Sequence, residues 1–142
     1  MRTIGAMDLP PDASKPNDSH ELRFESRGDY LRAEVSGPGD SLQVSLAYWC
    51  EIAQECERRD VRALLVVDLF ENEPLEPAEV DQVIEAMRDS YMRCVRVAYC
   101  ESNSAAVPQA EYGELTAREA GFSVRVFASE HEAELWLRYG ES

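Results

Sequence analysis

Basic residues are scarce in this chain, and lysine is almost absent. The 142 residues include 28 Asp and Glu against 14 Lys and Arg, which gives a formal net charge of −14, and Lys15 is the sole lysine. A nucleic-acid partner is excluded, because phosphate backbones require a basic surface. The same charge disfavours anionic membranes and favours basic, neutral or cationic partners. Mechanisms that depend on a lysine in the folded core are excluded as well.

Long apolar segments and paired cysteines are also missing. No run approaches the roughly 20 apolar residues of a membrane helix, and residues 1–19 lack the apolar segment of a signal peptide. The four cysteines form no CxxC pair and no disulfide-rich cluster; they are Cys50, Cys56, Cys94 and Cys100. We therefore predict a cytoplasmic protein without membrane insertion, in which the cysteines serve as small buried hydrophobic side chains.

The usual residues of catalysis are sparse. His20 and His131 are the two histidines, no serine lies in a nucleophile elbow, and no glycine-rich loop is present to hold a phosphate. A four-cysteine zinc site uses pairs two to four residues apart, and this spacing does not occur. We predict no catalytic residues, no metal ion and no cofactor.

The most informative segment is the apolar run Ala63–Val67, which ends at Asp68 and opens into an acidic loop. A short apolar run of this kind is typical of a strand buried on both faces, as in α/β proteins. The loop carboxylates are of a type that binds Mg²⁺ or Ca²⁺, but their spacing matches no calcium loop, and we interpret them as solvated. A receiver-type phosphorylated aspartate is excluded, because no lysine follows the last strand.

Periodicity along the chain predicts one α/β domain over residues 20–142, preceded by a disordered tail at residues 1–19. The predicted order is β-β-α-β-α-β-α-β-α, with a mixed, mostly parallel sheet and helices packed on it. Its strands are expected at His20–Ser26, Asp29–Ser36, Val61–Asp68, Arg93–Cys100 and Phe122–Phe127. Helices are expected to begin at Asp40, Pro77, Pro108 and just after Ser129.

This order of elements resembles the STAS fold, and more closely its SpoIIAA-like branch of small bacterial proteins. The local matches are the segment Tyr30–Gly37 and the ending from Val124–Phe127 to Ala133 and Trp136. The resemblance implies a non-enzymatic regulatory module that contacts other proteins. In anti-sigma-factor antagonists of this type, a serine or threonine at the helix after the third strand is phosphorylated. Residues 68–82 contain neither, so we expect no phosphoryl switch.

The resemblance and the acidic loop lead to two hypotheses about binding. The first is a protein partner that contacts the acidic loop, with Asp68, Phe70, Glu71, Glu73 and Glu76 at the interface. The alternative is a small-molecule ligand, for example an apolar one, held between the sheet and the helices. A polar ligand would find side chains after the fourth strand, namely Cys100, Ser102 and Ser104.

Phe70 admits two interpretations, because it is a large apolar residue in a charged loop. It either folds back onto the core or stays exposed as an aromatic anchor for a partner. The two interpretations predict opposite effects of Phe70→Ala, on stability in the first case and on partner binding in the second.

Overall fold

The computed structural model describes residues 20–37, 39, 41–70 and 75–140. Within these residues, five strands form one sheet and four α-helices pack against it. The strands are β1 (Glu21–Ser26), β2 (Leu31–Ser36), β3 (Ala63–Asp68), β4 (Arg96–Glu101) and β5 (Ser123–Phe127). The helices are α1 (Leu42–Arg59), α2 (Pro77–Ala86), α3 (Val107–Glu119) and α4 (Glu130–Tyr139). The predicted tail at residues 1–19 and the predicted helix start at Asp40 lie outside the described residues.

The strands lie in the sheet in chain order, from β1 at one edge to β5 at the other. Strands β1 and β2 form an antiparallel hairpin, and the remaining pairs are parallel. The predicted α/β class with a mixed, mostly parallel sheet is confirmed. The parallel pairs bring the carboxyl ends of β2, β3, β4 and β5 to one edge of the sheet, where ligands of such folds usually bind.

Both faces of the sheet are covered, which explains why β3 is an almost unbroken apolar run. Leu64 and Val66 face a core shared with α1 and α2. Leu65 and Val67 face the opposite side, where α4 contributes Ala133. A strand between two apolar layers has no solvent-facing side on which polar residues would be favourable.

Helix α1 buries a face that excludes one of the cysteines predicted to be buried. Its hydroxyl cap is Ser41, whose Oγ accepts a hydrogen bond from the Val44 amide at 3.1 Å. The buried residues run through Val44, Tyr48 and Ile52, whereas Cys50, predicted to face inward, is exposed. The aromatic ring at position 48 buries more apolar area than a thiol does, which accounts for this orientation of the helix.

The fourth strand starts later than the sequence suggests. We expected it from Arg93, but residues Tyr91–Cys94 form a 3₁₀ turn and β4 begins at Arg96. Ser90 initiates this turn, because its Oγ accepts a hydrogen bond from the Met92 amide at 3.1 Å. Consequently Cys94 is exposed in the turn, which contradicts its predicted burial.

The C-terminal elements agree closely with their predicted signals. Gly121, with φ of +100°, follows α3 in a conformation that favours glycine. Ser129 initiates α4 by accepting the Glu132 amide at 3.3 Å. The first turn of α4 is held to β2 by Arg32, which donates to both carboxylate oxygens of Glu130 at 3.0 and 2.8 Å. None of the helices in the described part of the chain is long and apolar enough to cross a membrane.

Candidate functional site

A cavity of about 190 Å³ lies between the sheet and helices α1, α2 and α3. Most of its wall is apolar. Its polar side chains include Asp68, Tyr99 and Glu101 at or near the ends of β3 and β4, Ser45 and Tyr48 on α1, and Gln109 and Glu114 on α3. The apolar side chains that line it include Val80, Val83, Met87, Val97, Phe122, Val124 and Val126. Protein interiors are normally packed with few voids larger than a water molecule. A cavity of this volume is therefore the feature of the fold that most clearly suggests a bound molecule.

The space exists because α3 presents small residues to its neighbours. Ala110, Gly113 and Ala117 of α3 line the cavity, as does Ala106 just before this helix. No residue of α3 is fully buried, so these small positions do not pack closely on the sheet. The small side chains instead leave room between α3 and the sheet.

Polar contacts hold α2 and α3 together over this space. Tyr112 of α3 donates its hydroxyl to Asp81 Oδ1 of α2 at 2.9 Å. Gln109 donates its side-chain amide to the Leu75 carbonyl, just before α2, also at 2.9 Å. These two contacts position the helices that form the wall of the cavity opposite the sheet.

Two buried carboxyl groups form the polar end of the cavity. Asp68 is the last residue of β3, Glu101 is the last residue of β4, and the two are register partners across the parallel pair. Their exposed fractions are only 7% and 5%, although carboxylates are almost never fully buried without partners. Register alone therefore brings two acidic groups together at the carboxyl edge of the sheet.

Asp68 is held by a set of hydrogen bonds. The Phe70 amide donates to its Oδ1 at 2.9 Å, and the Tyr99 hydroxyl donates to its Oδ2. Glu101 lies beside it as its register partner on β4. Desolvation raises the pKa of Asp68 above its ordinary value, and the hydrogen bonds from Tyr99 and Phe70 offset part of that rise.

This arrangement affects the protonation of Tyr99 and of the two carboxyl groups. Burial is the main reason that the pKa of Tyr99 lies well above its ordinary value, and the negative charge of Asp68 adds to the shift. Tyr99 therefore remains a hydrogen-bond donor around neutral pH. Asp68 and Glu101 are buried next to each other, and two negative charges there would repel, which favours one proton on the pair.

Aromatic rings surround the same end of the cavity. The Tyr48 ring lies 5.6 Å from Trp49 and 6.0 Å from Phe70, measured between ring centroids. Trp49 in turn lies 6.3 Å from Tyr99 at an interplanar angle of 21°. All four rings line the cavity. The polar end thus combines a carboxyl pair with four aromatic side chains.

The residues predicted to contact a protein partner lie in different environments. Asp68 and Phe70 are buried, at 7% and 6% exposure, and both belong to the cavity wall. Glu76 is exposed, and its amide donates to the Glu79 carboxylate at 3.0 Å at the start of α2. Glu71 and Glu73 lie outside the described residues. Phe70 folds back onto Tyr48, because its ring is large and apolar, so it is not an exposed anchor.

The residues predicted to bind a polar ligand are not brought together. Cys100 is buried on the face of the sheet that α4 covers, opposite the cavity. Ser102 and Ser104 are exposed beyond the end of β4. Alternation along the strand places Cys100 on one face and its neighbours Tyr99 and Glu101 on the cavity side.

Thiol accessibility tests which of the four cysteines are buried in the fold. We expect a maleimide to label Cys50 and Cys94 rapidly in the folded protein, because both are exposed. Burial raises the pKa of the Cys56 thiol to about 12 and that of the Cys100 thiol to about 11, so both should react slowly. Peptide mass spectrometry of native and denatured samples measures the difference. Rapid native labelling of Cys100 would contradict the structure.

The most informative residues of the cavity were not identified from sequence. Tyr99, Tyr48 and Ser45 line it without having been proposed as site residues, and Glu101, which also lines it, was considered only as part of the polar loop 101–104. One signal was available for Glu101, since it ends the strand after the one that ends at Asp68, and adjacent parallel strands align their carboxyl ends. In the described part of the chain, no group of three or more His, Cys, Asp or Glu side chains is placed to hold a metal ion.

Fold and site together define an α/β protein with a mixed five-stranded sheet and a cavity at the sheet's carboxyl edge. No protein-family model and no curated protein matches this sequence. Among solved structures, a protein of Streptomyces coelicolor A3(2) described as an enoyl-CoA hydratase is similar over 83% of this chain, with 15% identity and a TM-score of 0.41. The chain spans about half of that protein's length, 49%. A similarity this distant carries no argument about function.

Proposed function

We propose that this chain is a small-ligand-binding domain that holds a compact, largely apolar molecule between the sheet and helices α1, α2 and α3, without catalysis. The observation that carries the proposal is the cavity of about 190 Å³ with its apolar wall and polar end. Binding sites for small molecules combine an apolar lining with a few polar groups that orient the ligand. An engineered apolar cavity of about 150 Å³ in another protein binds benzene.

The volume of the cavity favours a molecule built around one ring. The apolar body would lie against side chains such as Val97 and Val124, which are register partners on β4 and β5. A polar group would lie at the carboxyl edge, near Asp68 and Glu101. The burial of the ligand's apolar surface supplies most of the affinity, and the polar end sets its orientation.

A STAS-like regulatory role is our second proposal, and it is compatible with the first. Its support is the hairpin β1–β2 followed by strands and helices in the order implied by the resemblance. Of the residues predicted to form the acidic contact surface, Glu76 at the start of α2 is the one that the structure describes as exposed. A ligand held beneath α2 would lie close to this surface, so ligand binding and partner contact can be coupled.

A cavity-filling substitution tests the ligand proposal. Ala110→Leu adds three carbon atoms to a residue that lines the cavity, whereas Ala47→Leu makes the same change on the exposed face of α1. We expect 2-phenylethanol, 2-phenylethylamine or both to bind the unmodified protein saturably in isothermal titration calorimetry. Ala110→Leu should weaken binding about tenfold or more, and Ala47→Leu should leave it unchanged.

Two results would overturn the proposal. One is the absence of saturable binding of either probe to the unmodified protein. The other is an equal effect of Ala110→Leu and Ala47→Leu, since binding would then occur elsewhere. Circular dichroism of both variants checks that the overpacked protein remains folded.

A further inference from the structure

We infer that the ligand of this cavity is a small amphiphilic amine, with one positively charged amino group at Asp68 and Glu101 and a compact apolar body toward α3. The inference rests on the proposed function and specifies the chemical class of the ligand. It follows from two features of the polar end: the charge of the carboxyl pair and the surrounding aromatic rings.

The carboxyl pair carries one negative charge. Its members are register partners, both are buried, and both line the cavity. Two negative charges next to each other in a buried site are unfavourable, so the pair is expected to keep one proton. The other named partners of Asp68, the Phe70 amide and the Tyr99 hydroxyl, donate hydrogen bonds without carrying a positive charge. A ligand with a single cationic group matches this charge.

The aromatic rings favour the same kind of group. Tyr48, Trp49, Phe70 and Tyr99 all line the cavity, at its polar end. The face of an aromatic ring attracts a cation electrostatically, and more strongly when both are removed from water. An ammonium group at this end would meet carboxyl oxygens and ring faces together. These contacts replace the water that it loses on binding.

Other head groups fit less well. A carboxylate would bring a second negative charge beside the carboxyl pair, which Coulomb repulsion disfavours in a buried site. A neutral hydroxyl can exchange hydrogen bonds with Asp68 or Glu101, but it has no charge that attracts theirs. The net charge of −14 adds a general attraction for cations and repulsion for anions. We therefore expect affinity to fall from amine to alcohol to carboxylate.

Matched probes test this order on the full-length protein. The probes are 2-phenylethylamine, 2-phenylethanol and phenylacetate, which share one ring and chain length and differ in the head group. Calorimetry at pH 7 and moderate salt should show the amine binding about tenfold more tightly than the alcohol, with phenylacetate weakest. Equal affinity of amine and alcohol would overturn the inference while leaving the ligand-binding proposal intact. Binding of none of them would overturn both.

A double substitution tests whether the preference for the amine over the alcohol depends on the carboxyl pair. Asp68→Asn combined with Glu101→Gln removes the charge of the pair, whereas either change alone leaves one residue able to ionise. The double variant should lose the preference for the amine over the alcohol. An unchanged preference would place the cation at another acidic surface and overturn the inference.

Amide signals in the unmodified protein provide a readout that does not depend on the folding of a variant. The Phe70 amide donates to Asp68, and the Asn103 amide donates to Glu101 at 3.2 Å. The amine should shift both signals in ¹H–¹⁵N spectra more than the alcohol does. An amine that binds without shifting either signal would contradict the proposed position of its amino group.

Discussion

Replacement of Phe70 by alanine is expected to lower the free energy of unfolding by about 3 kcal/mol, near the lower end of the range for buried phenylalanines. The ring is only 6% exposed, and it lies 6.0 Å from the Tyr48 ring between centroids. The lower end applies because Phe70 lines the cavity, so its side chain is not enclosed by protein atoms on every side. Urea unfolding monitored by circular dichroism measures the change.

The preceding residue supplies a matched control for this experiment. Leu69 is 41% exposed, and its amide donates to the Val35 carbonyl, a bond that alanine retains. Leu69→Ala should therefore cost less than about 1 kcal/mol. Equal destabilisation by the two substitutions would contradict the assignment of Phe70 to the core. Unchanged stability of Phe70→Ala with loss of a protein partner would restore the exposed-anchor interpretation.

Replacement of Asp68 by asparagine is expected to raise the free energy of unfolding at pH 7, by on the order of 1 kcal/mol. Asparagine retains an oxygen for the Phe70 amide and cannot ionise. In the unmodified protein, desolvation raises the pKa of Asp68 above its ordinary value of 3.8, so the folded state binds a proton more tightly than the unfolded state does. The contribution of Asp68 to stability must therefore rise as the pH falls.

The pH range follows from the direction of that shift. Between pH 3.8 and the raised pKa of folded Asp68, the folded protein holds a proton that the unfolded chain releases. The advantage of Asp68→Asn should be largest above the raised pKa and should shrink as the pH falls toward 3.8. Urea unfolding of both proteins at several pH values measures the difference, and Asp89→Asn controls for the loss of an exposed charge. A constant difference across the range would show that Asp68 is not protonated by burial.

The elements of the fold were largely predictable, because their signals are local. Pro77 begins α2, Ser129 caps α4, and the apolar run up to Asp68 is a strand covered on both faces. Errors occurred where two local signals competed. Ser90 diverts the chain into a 3₁₀ turn before β4, and the orientation of α1 buries Tyr48 rather than Cys50.

The candidate site was predicted only in part. An apolar ligand between sheet and helices was one of two hypotheses, and Asp68 was named for contact with a protein rather than with a ligand. Ser102 and Ser104 proved to lie on the exposed side of a connection, and Cys100 on the opposite face of the sheet. The polarity of these side chains did not predict whether they would be exposed or on which face of the sheet they would lie.

The amino-acid sequence by itself determined the α/β class, the positions of most strands and helices, and an acidic chemistry that favours cationic or neutral partners. These properties depend on periodicity, capping residues and composition, which act over a few residues or over the whole chain. Only the tertiary structure decided that Asp68 meets Glu101 and Tyr99, and that small residues of α3 leave a cavity beside them. Strand register and helix packing join residues distant in sequence, so the site has no local pattern from which it can be read.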